Sequence, residues 1–324
     1  MKLRGINFGN ILGASGVQGF FGEGYWFHKM WHLFGLNFDG MTFVAKTTTL
    51  LPRKGNMPLT RHYTPAVPFP GCVKAKPLRG VMLNSVGLSN PGIGALLGTG
   101  EWQKRTKPLL LSITSLADTS KKRLDELRLI VETIGFVKDS FSAPFGLQIN
   151  LSCPNTEHDP RNLIGESAKV LEIAASLGVP VMPKYSIASA PIQAVLELNH
   201  HSGCDAICVS NTLPFGWQGV DWKSVWGSKT SPLAKLGGGG LSGKPLRPLV
   251  CEWITRLRDA GFTKPINGGG GILFPEDVKH YHRAGASSMF LGTVVTCASF
   301  LPWMYHVSAI INQANDLNWS GGNR

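Results

Sequence analysis

Cys153 sits in the run Asn150-Leu-Ser-Cys-Pro-Asn155, with an asparagine on either side of it. A thiol in such a setting can act as a base, an acid or a nucleophile once it is partly ionised. No His lies beside it. His158, the nearest downstream, has no triad spacing, which argues against hydrolase chemistry. Lys46, Lys184, Asn84 and Asn150 close short apolar runs, and so does the pair Asn211-Thr212. A buried strand that ends in Lys or Asn needs a partner for that group. Each asparagine offers donors and acceptors on one planar amide, which matches a pyrimidine ring of alternating C=O and N–H groups. Gly268 to Gly271 and the pair Gly292-Thr293 let the backbone approach a ligand closely, and such turns suit a phosphate.

Eight apolar runs must position these groups: 41–46, 80–84, 108–113, 145–151, 180–184, 205–211, 264–268 and 288–292. Their length and branching predict buried parallel strands. Helical patterns separate them. Ser120 reads as an N-cap, Leu124, Leu127, Val131 and Ile134 share one face, and Gly135 reads as the stop. Gly178, Gly261 and Gly285 mark further helix ends just before strands. The recurring helix–Gly–strand unit predicts an α/β fold, a (β/α)8 TIM barrel in a single domain over 1–324, with a polar tail from about residue 315. Chemistry in such a barrel collects at the carboxyl ends of the strands, and phosphate sits after strands seven and eight. In this count Lys46 ends the first strand, Asn84 the second, Asn150 the fourth, Lys184 the fifth and Asn211 the sixth.

Bulk properties narrow the function classes. With 324 residues, 43% of them hydrophobic and only 16% charged, the chain can bury a large core, and disorder is excluded. A net charge of +12 favours anionic ligands. The basic residues are spread out, so no nucleic-acid arm is expected. The six cysteines form no C-x-x-C pair and no His cluster joins them, so no metal site is expected. The start, Met-Lys-Leu-Arg-Gly, lacks the apolar core of a signal peptide, and a cytoplasmic protein is the expectation.

Residues 20–38, FFGEGYWFHKMWHLFGLNF, carry more aromatic side chains than a barrel helix needs. Trp26, Met30, Leu33 and Phe34 fall on one helical face. The preferred reading is a helix packed on the barrel. The alternative is an interface with a partner subunit or, less favoured, peripheral contact with a membrane surface.

Taken in order, the motifs resemble the dihydroorotate dehydrogenase family. Asn150-Leu-Ser-Cys-Pro-Asn155 is similar to its active-site loop, and Asn84-Ser-Val-Gly-Leu-Ser-Asn90 to a second loop. Further matches are Ala14-Ser-Gly16, Lys46-Thr-Thr-Thr, Gly55-Asn56, Val209-Ser-Asn-Thr212, Gly240-Leu-Ser-Gly-Lys-Pro245 and Gly268-Gly-Gly-Gly-Ile272. The resemblance implies an FMN-containing barrel that oxidises dihydroorotate to orotate in pyrimidine synthesis. It implies that Cys153 is the base, as in the soluble branch, although Gly-Leu-Ser-Gly-Lys-Pro and Ser-Asn-Thr look more like the quinone-linked branch. Lys46 and Lys184 would join Cys153 in catalysis. Asn84, Gly87, Leu88, Asn150, Asn155, Asn211 and Thr212 would hold the substrate. Ala14, Ser15, Gly16, Lys46, Thr47, Asn84, Asn150 and Lys184 would hold FMN, together with Ser242, Gly243, Gly270, Gly271, Gly292 and Thr293. The implied acceptor is fumarate, quinone or NAD through a partner subunit, and the implied assembly is a homodimer. Rival readings are a barrel like tRNA-dihydrouridine synthase or dihydropyrimidine dehydrogenase, or a non-catalytic binding barrel.

Overall fold

The computed structural model describes residues 1–151, 160–297 and 304–319. An antiparallel hairpin of β1 (Lys2–Leu3) and β2 (Ile6–Asn7) leads into β3 (Ile11–Gly13). Next come β4 (Met41–Val44), β5 (Val73–Lys76) and β6 (Val81–Asn84). β7 (Leu109–Ile113), β8 (Phe145–Asn150), β9 (Val181–Tyr185) and β10 (Ile207–Val209) follow. The remaining described strands are β11 (Leu213–Pro214), β12 (Gly240–Gly243), β13 (Ile266–Gly268) and β14 (Ser288–Leu291).

The strands β3, β4, β7, β8, β9, β10, β13 and β14 close in that order into a parallel barrel. This is the expected (β/α)8 architecture. Alternation along each strand divides its residues between two apolar layers. Leu12, Val44, Leu110, Met182, Cys208 and Phe290 fill the lumen, where Met1, Leu3 and Phe8 join them. Their neighbours Ile11, Phe43, Leu109, Leu111 and Ile207 face outward, in one cluster with Ile130, Ile134 and Leu171 of the surrounding helices. Each such buried side chain contributes about 1.5–3 kcal/mol. The same parity puts Lys184, two residues after Met182, at the top of the lumen.

Two of the expected strands differ from the count made on sequence. The first barrel strand is Ile11–Gly13, three residues between Asn10 and Ala14, shorter than the runs that periodicity detects. The run 80–84 is not a barrel strand. As β6 it pairs antiparallel with β5 and with β12, in a separate sheet ordered β11-β12-β6-β5. An apolar run of this length has no signature of its sheet partner. Lys46 therefore follows the second barrel strand, and Asn84 ends none. The two differences cancel by β7, so Asn150 still ends the fourth strand.

The helices differ in detail. The Ser120–Gly135 helix is capped by Thr119, whose hydroxyl accepts from the Lys122 amide at 3.4 Å, rather than by Ser120. Gly135 is its last residue and Phe136 its cap. Gly178, Gly261 and Gly285 do take positive φ after their helices. The Met304–Asp316 helix runs into the segment expected to be a polar tail. The helix in 20–38 is short, Trp26–His32, and buries Phe27 and His28. The face of Trp26, Met30, Leu33 and Phe34, read as packed on the barrel, is exposed instead. Phe27 and His28 hold the helix down, so the opposite face is left to solvent. Among the described residues no helix is long and apolar enough to cross a membrane.

Candidate active site

A cavity of about 840 Å³ opens at the carboxyl ends of the barrel strands. Ligand sites span about 300–1,000 Å³. β3 delivers Ala14, Ser15 and Gly16 to its wall, and β4 delivers Lys46 and Thr47. Asn150, Lys184, Asn211 and Thr212 reach it from β8, β9 and the turn after β10. Gly270, Gly292 and Thr293 come from the last two barrel strands. The antiparallel sheet supplies Asn84 and Ser242, and the following loop supplies Gly87 and Leu88. The sheet that sequence reading merged into the barrel is thus a wall of the cavity.

Three lysines, Lys29, Lys46 and Lys184, line this space, and no carboxylate does among the described residues. Burial dominates the chemistry of Lys46 and Lys184. Lys46 is 8% exposed, donates to the Ser89 carbonyl and lies 5.0 Å from the centre of the Phe20 ring. Loss of solvent pushes its ammonium down to about 7. Burial likewise lowers Lys184, whose ammonium stands 5.3 Å from the centre of the Phe290 ring. Two desolvated cations, with no carboxylate among the described lining residues, favour an anionic occupant.

The amides and hydroxyls are pre-aimed. Asn211 donates its side-chain N–H to Oδ1 of Asn150 at 3.0 Å, and its own Oδ1 accepts from the Thr212 amide at 3.0 Å. Ser15 donates to the Ala45 carbonyl at 3.0 Å and meets the Thr47 hydroxyl at 2.8 Å, which meets Ser112 at 2.9 Å. Each contact fixes a rotamer before any ligand arrives.

The loop after β6 is held in a strained form. Leu88 has φ +58°, which costs a residue with a Cβ about 1–2 kcal/mol. Asn90 grips the Leu88 carbonyl at 2.7 Å, Asn56 grips that of Ser85 at 2.8 Å and Arg53 that of Gly87 at 2.8 Å. Gly55 passes so close to this loop that a Cβ there would lie 2.3 Å from the Ser89 hydroxyl. The Gly55-Asn56 motif therefore acts by shaping the loop at residues 85–90.

Cys153 and Asn155 lie outside the described residues. Gly243 and Gly271 do not line the cavity. They sit behind its wall, where a Cβ on Gly271 would lie 2.6 Å from the Gly243 carbonyl oxygen. Their small size lets two backbones cross. Sequence reading missed Ser210, Tyr25, Phe290 and Thr296, which also line the cavity. Ser210 lies inside the Val209-Ser-Asn-Thr212 motif and was within reach. Tyr25, whose hydroxyl donates to the Gly16 carbonyl at 2.7 Å, carries no local signal.

The donor set fits a flavin mononucleotide: backbone turns at Gly270 and Gly292 for a phosphate, and buried lysines for an electron-rich ring. Comparison with known proteins agrees. The family model described as dihydroorotate dehydrogenase matches residues 1–313. The chain is 29% identical over 302 residues to the dihydroorotate dehydrogenase A (fumarate) of Limosilactobacillus reuteri strain DSM 20016, covering 90% of this chain and 85% of that one. It is also 29% identical over 302 residues to the dihydroorotate dehydrogenase B (NAD(+)) catalytic subunit of Bacillus pumilus strain SAFR-032, covering 90% and 84%. Among solved structures, that of the Eimeria tenella enzyme in complex with ferulenol superposes with a TM-score of 0.68 at 20% identity. It covers 97% of this chain and 83% of the other, a likeness of fold.

Proposed function

Because the chain belongs to the dihydroorotate dehydrogenase family, we propose that its cavity oxidises dihydroorotate to orotate with FMN as the resident cofactor. The observation that carries this reading is the cavity in which Lys46, Lys184 and the linked amides of Asn150 and Asn211 converge, with no carboxylate among its described lining residues. Dihydroorotate is an amide-rich ring with a carboxylate, so it calls for cations and for amides of both polarities.

FMN, when bound, supplies the acceptor for the hydride that leaves C6 of the substrate. The protein supplies the remainder. Cys153 takes the proton from C5, so that the C5–C6 double bond forms as the hydride departs. Asn84, Asn150, Asn155, Asn211 and Thr212 hold the ring in one orientation. Lys184 offsets the negative charge that reduction leaves on the cofactor side of the cavity. Lys46 serves both occupants, and its bond to Ser89 keeps it aimed inward. Ser15, Thr47, Ser242, Gly270, Gly292 and Thr293 form the cofactor's bed.

Relatives at equal identity are linked to fumarate and to NAD(+), so the acceptor class for this chain is drawn from the outer cavity rather than from them. That part is apolar, with Trp26, Phe27, Pro65, Pro68 and Phe69 in its lining. We infer that it admits a small oxidant past an aromatic mouth.

The test is anaerobic spectroscopy of the purified protein. A flavin absorption band that bleaches when dihydroorotate is added, with orotate released, is the expected result. A protein that takes up no flavin, or whose flavin stays oxidised in the presence of dihydroorotate, overturns the assignment.

A further inference from the structure

The turn after β13 is fixed at both ends by bonds that leave its centre free. Gly269 still pairs with the barrel: its N–H donates to the Val209 carbonyl at 2.7 Å, and its carbonyl accepts from the Ser210 amide at 3.1 Å. At the far end, the Leu273 and Phe274 amides donate to Oδ2 of the buried Asp277 at 2.8 and 3.0 Å, and Arg247 pairs with its Oδ1. Between these anchors lie Gly270 and Gly271, with φ of +132° and +73°. Two glycines put little steric restraint on the peptide that joins them, so its orientation needs another cause.

Tyr281 supplies that cause. It stands four residues after Asp277, on the same face of the Asp277–Arg283 helix. Its side chain is fully buried, and its hydroxyl donates to the Gly270 carbonyl at 2.7 Å. Gly268 makes room for the ring, since a Cβ there would lie 2.8 Å from it. Burial pushes the phenol well above the usual tyrosine range, so it stays a donor at any working pH. The peptide between Gly270 and Gly271 is trans, which holds its C=O and N–H antiparallel. A carbonyl drawn toward the helix turns the Gly271 N–H the opposite way, to the side on which Gly270 lines the cavity. Among the described residues that N–H has no partner.

We propose that Tyr281 is a positioning residue whose hydroxyl fixes the Gly270–Gly271 peptide, so that the cavity wall presents an N–H to the phosphate of the cofactor. The inference rests on the reading of FMN as the resident cofactor. Tyr281 does not line the cavity and acts through the backbone alone. Asp277 holds the far end of the same turn, so one helix face sets both the position of the turn and the direction of its central peptide.

Binding of FMN and of riboflavin to the full chain freed of flavin, followed by quenching of flavin fluorescence, tests this. The two ligands share a ring system and differ by the phosphate, so the ratio of their affinities isolates the phosphate bed. A partly unfolded variant weakens both alike and leaves the ratio unchanged. Tyr281→Phe keeps the ring and removes only the hydroxyl. Its affinity for FMN should fall about tenfold, the effect of one lost hydrogen bond with its partner left bare, while that for riboflavin should stay within a factor of about two. A preference for FMN that survives intact in Tyr281→Phe overturns the positioning role alone. An unaltered chain that binds FMN no more tightly than riboflavin overturns the phosphate bed and the cofactor reading with it.

Discussion

Lys184 lies directly across from Asn150 in the parallel pairing of β8 with β9, and its carbonyl accepts from the Leu151 amide at 3.1 Å. The pairing ties the cation of β9 to the amide of β8 and to Leu151, which follows it. Lys184→Met keeps the length of the side chain and removes a buried charge, so the melting temperature should hold or rise. Reduction of the flavin by dihydroorotate should slow about 10²–10³-fold, as when one preorganised electrostatic group is lost. Stopped-flow bleaching measures this; a rate within a factor of two of the unaltered protein excludes the electrostatic role.

Cys153 is testable through pH. A thiol ordinarily ionises near about 8.5, so the base form is scarce at neutral pH. The rate of flavin reduction should climb through that ionisation. Cys153→Ala should retain flavin and lose most of its turnover, and Cys153→Ser should shift the rise to higher pH. Full activity in the alanine variant removes Cys153 from the mechanism.

Lys46 gives a pH dependence of the opposite sense. Its folded value of about 7 lies below the ordinary lysine value, so its positive charge is present below pH 7 and fades above it. Orotate is an anion, and its affinity should weaken as pH rises from 6 to 8.5 by about tenfold per unit once past 7. Titration calorimetry on the unaltered chain and on Lys46→Met, which should show a flat profile, checks this. Because a bound anion raises the lysine again, the inflection should lie higher in the complex.

His28 links the aromatic helix to the phosphate end of the barrel. Its ring nitrogens meet the Tyr25 amide at 3.1 Å and the Val295 carbonyl at 2.8 Å, and burial lowers it to about 4. The folded value lies below the unfolded one, near 6.5. The neutral ring therefore contributes stability in full above about pH 6.5, and that contribution fades as pH falls toward 4. The loss should approach about 3 kcal/mol. Urea unfolding at pH 7 and pH 4.5 measures it, and His28→Asn should flatten this acid limb.

Arg123 and Glu166 form a buried, two-pronged ion pair at 2.8 and 2.6 Å, and Arg123 also donates to the Ala117 carbonyl at 3.1 Å. The pair joins the Ser120–Gly135 helix to the Pro160–Ala175 helix. Glu166→Ala leaves a buried cation and should cost about 3–5 kcal/mol, whereas Arg123→Met with Glu166→Leu should fall much closer to the unaltered chain. Urea midpoints of the two variants and the unaltered chain decide it; equal loss in the single and double variants contradicts a buried-charge origin.

Much of the site could be read from residue order alone. Asn150, Lys46, Lys184, Gly270 and Gly292, each singled out by residue type and order, do converge on one cavity. Seven of the eight barrel strands also announced themselves, because a strand buried on both faces must be apolar at nearly every position. Only the tertiary structure decided the rest. Ile11–Gly13 is too short to show a period, and Val81–Asn84 looks the same whether its partner is a barrel strand or an antiparallel ribbon. Partner choice is a long-range matter, set by what Gly240–Gly243 brings from the far end of the chain. The same holds for the aromatic helix. Its sequence offers an apolar face, but the face that turns inward is the one carrying Phe27 and His28, and Leu33 and Phe34 face out.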